Sequence, residues 1–351
     1  MDGKMRALVT IPAGKAEIQE VPIPKPLPGH ALLKINATAQ SNDLNGIAVS
    51  KPGVICGDDF AGTVIDPNGT TLQKGQRVAG FVMGSDIDPC RGTFAQYAMA
   101  HPDYVFHVPD SVTNVEAASI SLSLATATVS LKWLEIPDAT DPVKKPFPVL
   151  IYGASSSVGL FAVQLCRMAG LYVIATASKR NHELVKSQGA DVVIDYRDED
   201  WIDQVKKVAD VWGGLHHVFD TISTYQTTKA CVQTFPEEGG HIVCIMARTA
   251  EEIGLPANVK LNVALCYTVF GENLGSKKVE LYESFQDTEG ARPQDQQTWK
   301  AYMKAIPNWL ETKALRPNPL RLQGGLDNIL EGLELQRKGL VSGQKLVYTI
   351  D

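Results

Sequence analysis

The chain has 351 residues, 44% of them hydrophobic and 21% charged, with a formal net charge of −6 and a sequence pI near 5.7. That length corresponds to about two domains on a prior of ~150 residues each, and the composition is that of a folded chain with a sizeable core. The acidic balance, with no Lys/Arg run longer than three, excludes a general nucleic-acid binder; no stretch approaches the ~18 apolar residues of a membrane span. The six cysteines, Cys56, Cys90, Cys166, Cys231, Cys244 and Cys266, form no C-x-x-C pair and read as buried free thiols. Met1-Asp-Gly-Lys-Met-Arg6 leads into no signal-type apolar run. The expectation is a soluble, cytoplasmic monomer with no membrane or nucleic-acid partner.

Residues 1–110 are rich in β-branched residues, glycine and proline. Short strands are predicted at 6–11, 17–21, 31–38, 57–65, 75–82 and 92–98, with Pro22, Pro24, Pro26 and Pro28 making an extended connection. So many short strands predict a small barrel-like β domain. A long helix is predicted over 116–134, then a Pro-rich loop over 138–148. From there strand and helix alternate. Strands are predicted at 149–152, 172–176, 191–195, 217–222, 241–245 and 261–270, with helices from 158, 180, 198 and 225 between them. That alternation predicts a parallel, doubly wound sheet. Two helices, 298–312 and 325–338, precede a last strand, 345–350, expected to complete the β domain. The expected organisation is therefore discontinuous: 1–119 and 272–351 form one domain, with 120–271 inserted.

The stretch Pro148–Gly159 organises this chain. A buried strand runs into the small-residue turn Gly153-Ala-Ser-Ser-Ser157 and then into a helix. This geometry presents backbone N–H groups to a phosphate. The fingerprint G-x-G-x-x-G survives as Ala154-x-Ser156-x-x-Gly159, with a small residue wherever backbone must approach a pyrophosphate. The same turn lacks the second glycine of a G-x-S-x-G nucleophile elbow, since position 157 is serine, and a serine hydrolase is set aside. After the second strand an NAD site wants Asp or Glu for the ribose 2′-OH. Ala177-Ser-Lys-Arg180 stands there instead. Ser178 offers a donor and Lys179 and Arg180 a positive charge for a 2′-phosphate, with Tyr196 alongside, so the expected cofactor is NADPH. None of the seven histidines is spaced with a cysteine as a ligand set, and no metal is expected.

At this point the chain resembles the medium-chain dehydrogenase/reductase superfamily in its zinc-free branch. Gly57-Asp-Asp-Phe-Ala-Gly-Thr-Val stands where zinc-dependent members carry Gly-His-Glu, and Ser41-Asn-Asp43 where they carry a ligand cysteine. Thr126-Ala127 and Val158-Gly159 match the family's helix and turn. The segments 170–176, 186–196, 269–272, 323–327 and 337–347 are similar to the fungal trans-acting enoyl reductases. The resemblance implies an α/β fold, a doubly wound parallel Rossmann sheet plus a discontinuous GroES-like β-barrel substrate domain. It also implies NADPH-dependent reduction of an α,β-unsaturated thioester on the acyl carrier protein of a polyketide synthase, a transient partner, in secondary metabolism.

Carried over residue by residue, the resemblance implies a nicotinamide-side loop at Asn42, Asp43, Leu44 and Asn45, and a pyrophosphate turn at Ser155, Ser156, Ser157 and Val158. It puts the 2′-phosphate at Ser178, Lys179, Arg180, Asn181 and Tyr196, the nicotinamide at Ile245 and Met246, and a closing segment at Val341 and Ser342. Thr126 with Tyr267, Thr268, Val269, Phe270 and Gly271 would line the acyl pocket. Two departures fall beside the expected reacting centre. Asn45 stands where close relatives carry lysine, and Gln40-Ser41 where they carry Asn-Pro. The implied enolate would be stabilised by donors near the thioester oxygen. Asp43, Thr126 and Tyr267 are the candidate acids, with water as the other proton source. Two further readings stay open: a stand-alone quinone or enone oxidoreductase, and a non-redox cyclase or partner that keeps NADPH as a ligand.

Overall fold

A computed structural model of the chain describes residues 3–41, 51–84, 91–246, 249–271 and 292–351. The chain divides into two compact units, Met1–Ser123 with Lys300–Asp351, and Leu124–Trp299.

The first unit is built on antiparallel β-structure. β1 (Lys4–Ile11) and β2 (Lys15–Pro22) form a hairpin. β3 (Ala31–Ala39), β4 (Asp59–Asp66), β5 (Arg77–Phe81), β6 (Tyr97–Ala100) and β7 (Val105–His107) follow, with β14 (Leu320–Leu322) and β15 (Lys345–Thr349) from the C-terminal part. The larger sheet has the order β14-β15-β3-β4-β5-β7, with β6 also on β3. β15 pairs antiparallel with β3, Val347 opposite Ala39, so the last strand joins the sheet of the N-terminal strands. Leu8, Leu33, Ile35, Phe60, Val78, Phe94, Leu346 and Tyr348 fill the core. Residues 92–96, expected in a strand, form no regular ladder: Ala95 makes an isolated bridge to Ala7, and regular pairing on β3 begins at Tyr97. Alternating residues alone cannot show where a strand leaves its partner.

The predicted helix 116–134 is two helices, α1 (Asn114–Ala118) and α2 (Ser121–Trp133). Thr113 and Glu116 close α1 at its start with a capping box. The break has a local and a distant cause. Ser119 Oγ donates to Glu116 O at 2.7 Å, and Leu122 N, in the first turn of α2, donates to Asp59 Oδ1 at 2.7 Å. A carboxylate at a helix N-terminus satisfies orphan N–H groups and the dipole, but this one comes from another strand, so the helical pattern could not show it.

The second unit is the doubly wound one. Its strands are β8 (Pro148–Tyr152), β9 (Tyr172–Thr176), β10 (Val192–Ile194), β11 (His217–Asp220), β12 (Gly240–Cys244) and β13 (Val259–Val263), all parallel, in the order β10-β9-β8-β11-β12-β13. Between them run α3 (Ser157–Met168), α4 (His182–Ser187), α5 (Trp201–Asp210), α6 (Tyr225–Val232) and the short α7 (Ala250–Ile253). Strand order reverses between β8 and β11. In such sheets the ligand crevice lies at that switch point, beyond the carboxyl ends of the strands. The sixth strand is shorter than the expected 261–270: β13 ends at Val263, Ala264 N makes the last bond to Cys244 O, and 266–270 close into a 3₁₀ turn. Thr268 N, donating to Leu265 O at 3.2 Å, closes that turn in place of an extended strand. α8 (Pro293–Glu311) and α9 (Ile329–Arg337) complete the helices. Among the described residues, no helix is long and apolar enough to cross a membrane. Cys56, Cys166, Cys231, Cys244 and Cys266 are buried and outside any disulfide among the described residues; Cys90 lies outside the described residues.

Candidate active site

The carboxyl ends of four parallel strands carry the expected cofactor residues of the second unit. Ser155–Val158 follow β8, Ser178–Asn181 follow β9, Tyr196 follows β10, and Ile245 and Met246 follow β12. The sheet order thus brings to one edge residues that lie as far apart in the chain as 155 and 246.

Small residues let the first turn close. Gly153 has φ +74°, and a Cβ there would lie 2.5 Å from Ile222 Cγ1; a Cβ on Gly159 would lie 2.6 Å from Gly153 O. Helix α3 therefore starts hard against the turn, with its first N–H groups facing outward from the sheet end. Ser156 is the N-cap: its Oγ accepts from Gly159 N at 2.9 Å and lies 2.9 Å from Thr221 Oγ1. Thr221 gives its single hydroxyl proton to Tyr152 O or Gly153 O, at 2.9 and 3.0 Å. Ser156 is then the donor in the Ser156–Thr221 bond, and its hydroxyl is committed to holding the turn together. Of the three serines expected at the pyrophosphate turn, Ser156 thus has its hydroxyl bonded within the turn itself.

Sequence reasoning missed the second turn of this edge, Thr221–Thr224 after β11. It is built around Asp220, fully buried, whose carboxylate accepts from Ile222 N (3.0 Å), Ser223 N (2.9 Å), Thr227 Oγ1 (2.8 Å) and Thr228 Oγ1 (2.9 Å). Burial pushes the Asp220 carboxyl above its ordinary range, against the pull of those four bonds. Ser223 sits at φ +56°. Its Oγ donates to Asp220 O at 2.7 Å and accepts from Ile245 N at 2.9 Å, so the turn also fixes the end of β12. The signal was present: Asp220-Thr-Ile-Ser-Thr224 is a run of turn-forming side chains at a strand–helix junction.

At the third position, Ser178 is buried and makes no helix-cap bond of its own. Lys179 and Arg180 are exposed beside it. Asp195, directly after β10, accepts from Lys179 N and Arg197 N, both at 3.0 Å. Burial acts to raise its pKa, but those two N–H groups and the Arg197 charge hold it below the usual range. Tyr196, 37% exposed, lies 6.1 Å from the Tyr152 ring, and the Arg197 guanidinium stands 5.5 Å over its face. Arg197 is a basic group that the sequence reading did not single out. The N–H-lined turn, the small residues that admit a close ligand and this basic shoulder fit a dinucleotide.

Thr126 is the one position between Ser121 and Leu131 of α2 that is not buried, and Tyr267 is half-buried on the 3₁₀ turn whose Thr268, Val269 and Phe270 are buried. Gly271, exposed, ends that turn at φ +65°. In the first unit, Val341 packs against the core and Ser342 is exposed. Asn42, Asp43, Leu44 and Asn45 lie outside the described residues.

Ser41 and Asp59, at positions matched to zinc-motif residues, hold an internal cation. Lys345 Nζ lies 2.6 Å from Ser41 Oγ, 3.0 Å from Asp59 Oδ2 and 3.3 Å from Ser123 Oγ, with both charged side chains at most 2% exposed. Among the described residues no group of three His, Cys, Asp or Glu side chains could hold a metal ion. The donors around Ser41 and Asp59 suit an ammonium group and not zinc.

Comparison with known proteins agrees with this architecture. Residues 27–110 match the alcohol dehydrogenase GroES-like domain, and 157–287 match the zinc-binding dehydrogenase family. The chain is 31% identical to a trans-enoyl reductase of Petromyces alliaceus, covering 97% of this chain and 96% of that one. It is 32% identical to one of Penicillium crustosum, covering 98% and 96%. Among solved structures, the CurK enoyl reductase superposes with a TM-score of 0.77 at 17% identity, covering 99% of this chain and 100% of that one. The quinone oxidoreductase of Coxiella burnetii does so with a TM-score of 0.73 at 21% identity, over 99% and 100%. The chain belongs to the trans-enoyl reductase family within the medium-chain dehydrogenase/reductase superfamily, oxidoreductases that use a nicotinamide cofactor.

Proposed function

We propose that the chain is an NADPH-dependent trans-acting enoyl reductase. Its substrate is an α,β-unsaturated polyketide thioester, presented by the acyl carrier protein of a polyketide synthase as a transient partner. The observation that carries the cofactor choice is the edge beyond β9 and β10. Ser178, Lys179 and Arg180 follow β9, Arg197 stands over Tyr196, and Asp195, the acidic residue directly after β10, is taken up by two backbone N–H groups. A 2′-phosphate meets positive charge there, whereas a bare ribose 2′-OH would want a free carboxylate. The relatives' names support the reaction type.

In this reading the N–H groups opening α3 hold the pyrophosphate, and the Thr221–Thr224 turn and Ile245–Met246 flank the nicotinamide end. The chemistry a bound cofactor would supply there is hydride donation toward the substrate's β-carbon. The chain's own contribution is to place the acyl group: Thr126 and the 267–271 turn line it, and donors beside the thioester oxygen favour the enolate. Asp43, Thr126 and Tyr267 remain the candidates for protonation at the α-carbon, with water as the alternative.

The test is NADPH consumption, followed at 340 nm, with enoyl thioesters of pantetheine and of carrier protein beside free quinones and enones. Turnover of the thioesters supports the reading. Turnover of free quinones alone makes the chain a stand-alone quinone or enone reductase, and a transformed thioester with no NADPH consumed makes it a non-redox enzyme.

A further inference from the structure

Residues 293–296 open α8 directly against the turn assigned to the acyl group. Asp295 is 2% exposed, although it is a carboxylate on the first turn of a helix. Its Oδ2 accepts from Thr268 Oγ1 at 2.7 Å and from Trp133 Nε1 at 3.3 Å, and lies 3.4 Å from Arg292 Nε. The Arg292 guanidinium lies 3.7 Å from the centre of the Trp133 ring. One buried carboxylate thus joins three segments: the end of α2, the 3₁₀ turn and the start of α8.

The next residue repeats the grip. Gln296 Nε2 donates to Phe270 O at 2.9 Å. It also occupies the space above Gly271, where a Cβ would come within 2.5 Å of it. Residues 268 and 270 are therefore held from α8, and the half-buried Tyr267 between Cys266 and Thr268 is presented by a turn that cannot shift alone. On the other side, Trp133 stands seven residues after Thr126 on α2. Seven residues are two helical turns, so both lie on one face of that helix. The carboxylate that holds the 267–271 turn thereby also holds the helix that carries Thr126.

We propose that Asp295 is a positioning residue that fixes the spacing between Thr126 and Tyr267 and so sets which acyl chain lengths are reduced. The inference rests on the reading of those two elements as the acyl lining. A carboxylate with a purely structural role would lower stability and leave selectivity alone. A positioning role changes the ratio of rates between long and short chains, because a longer chain samples more of the displaced lining.

The experiment measures kcat/KM for NADPH oxidation with enoyl-pantetheine thioesters of four to ten carbons, on wild type, Asp295→Ala, Asp295→Asn and Thr268→Val, with the NADPH Kd of each. Asp295→Asn keeps an acceptor for Thr268 or Trp133 and holds the wild-type chain-length profile within about twofold. Asp295→Ala shifts the ten-carbon to four-carbon ratio by about tenfold, with NADPH Kd within about twofold of wild type. Thr268→Val shifts the ratio in the same direction and decides the matter if Asp295→Ala does not fold. Profiles for both Asp295→Ala and Thr268→Val that overlay the wild type overturn the inference while leaving enoyl reduction standing. A wild type that turns over none of the thioesters removes the function and the inference together, before any variant is made.

Discussion

Replacing Lys345 with methionine tests whether the buried cation holds the first unit together. Methionine keeps most of the apolar stem and removes only the ammonium group. Asp59, fully buried, then keeps Leu122 N at 2.7 Å and Ser41 Oγ at 3.1 Å but loses its counter-charge at 3.0 Å. Breaking a buried pair from one side costs about 3–5 kcal/mol. The two hydrogen bonds that remain on the carboxylate, each worth about 1 kcal/mol, place the expected loss near the lower end, about 3 kcal/mol. For a unit of this size that is a fall in Tm of roughly 6–12 °C, read by circular dichroism at constant pH and salt. The double variant Lys345→Met with Asp59→Asn separates charge loss from packing. With both charges gone it loses less than the sum of the single variants, by at least about 1.5 kcal/mol. A Tm within 2 °C of wild type for Lys345→Met, or losses that simply add in the double variant, would refute the argument from a buried, coupled pair.

Changing Ser178, Lys179 and Arg180 together to alanine raises the NADPH Kd by about 10- to 100-fold and the NADH Kd by no more than about twofold; equal effects in a fluorescence titration would remove the 2′-phosphate from this edge. Ser156→Ala loses the cap of α3 and the tie to Thr221, costing about 1 kcal/mol of stability, and an unchanged melt would show that the turn does not depend on it. Acid sensitivity centres on His217, which burial, and then the neighbouring His241 and His216, push down to about 4. Its folded pKa is below its unfolded value of about 6.5, so the unfolded state binds the proton first and stability falls as pH drops from about 6.5 to about 4, then levels. Discounted for its partial exposure, the loss is about 1–2 kcal/mol. His217→Gln should flatten that part of a Tm-against-pH curve, and a curve that stays as steep assigns the effect elsewhere.

Much of the second unit was legible because its signals are local. The apolar run of β8, the small residues of 153–157 and the glycine ending α3 all lie within two dozen residues, and each has one physical meaning. The same holds for Ala177-Ser-Lys-Arg180, read against the position an acidic residue would take. What was not legible depends on partners distant in the chain. Asp59 starting α2 from another strand, Thr268 folding the end of the expected sixth strand into a turn beside Asp295, and Asp220 organising the turn after β11 are all buried polar groups satisfied across the fold. A hydrophobic pattern records which side of an element is apolar. It carries no record of which hydroxyl or N–H a buried carboxylate will meet, although burial requires that it meet some.

The Gln40-Ser41 departure acquires a physical meaning in the same terms. Where the resemblance expects Asn-Pro, proline would hold the chain by its fixed φ. Here side chains do that work. Gln40 N donates to Leu346 O at 2.9 Å, and its Oε1 accepts from Tyr348 Oη at 2.7 Å. Its Nε2 donates to Gly332 O at 3.2 Å and to Gln336 Oε1, while Gln336 Nε2 donates to Ser41 O at 2.9 Å. Lys345 then reaches Ser41 Oγ. The end of β3 is thus tied to β15 and α9 by a connected set of buried and part-buried bonds, each worth about 1 kcal/mol. Proline restrains one residue, whereas this network makes the position of residues 40–41 depend on the C-terminal segment being in place. The departure therefore need not mark a loss of function at this point of the chain: it exchanges a local restraint for one that exists only in the folded unit. The other departure, Asn45 for lysine, lies outside the described residues.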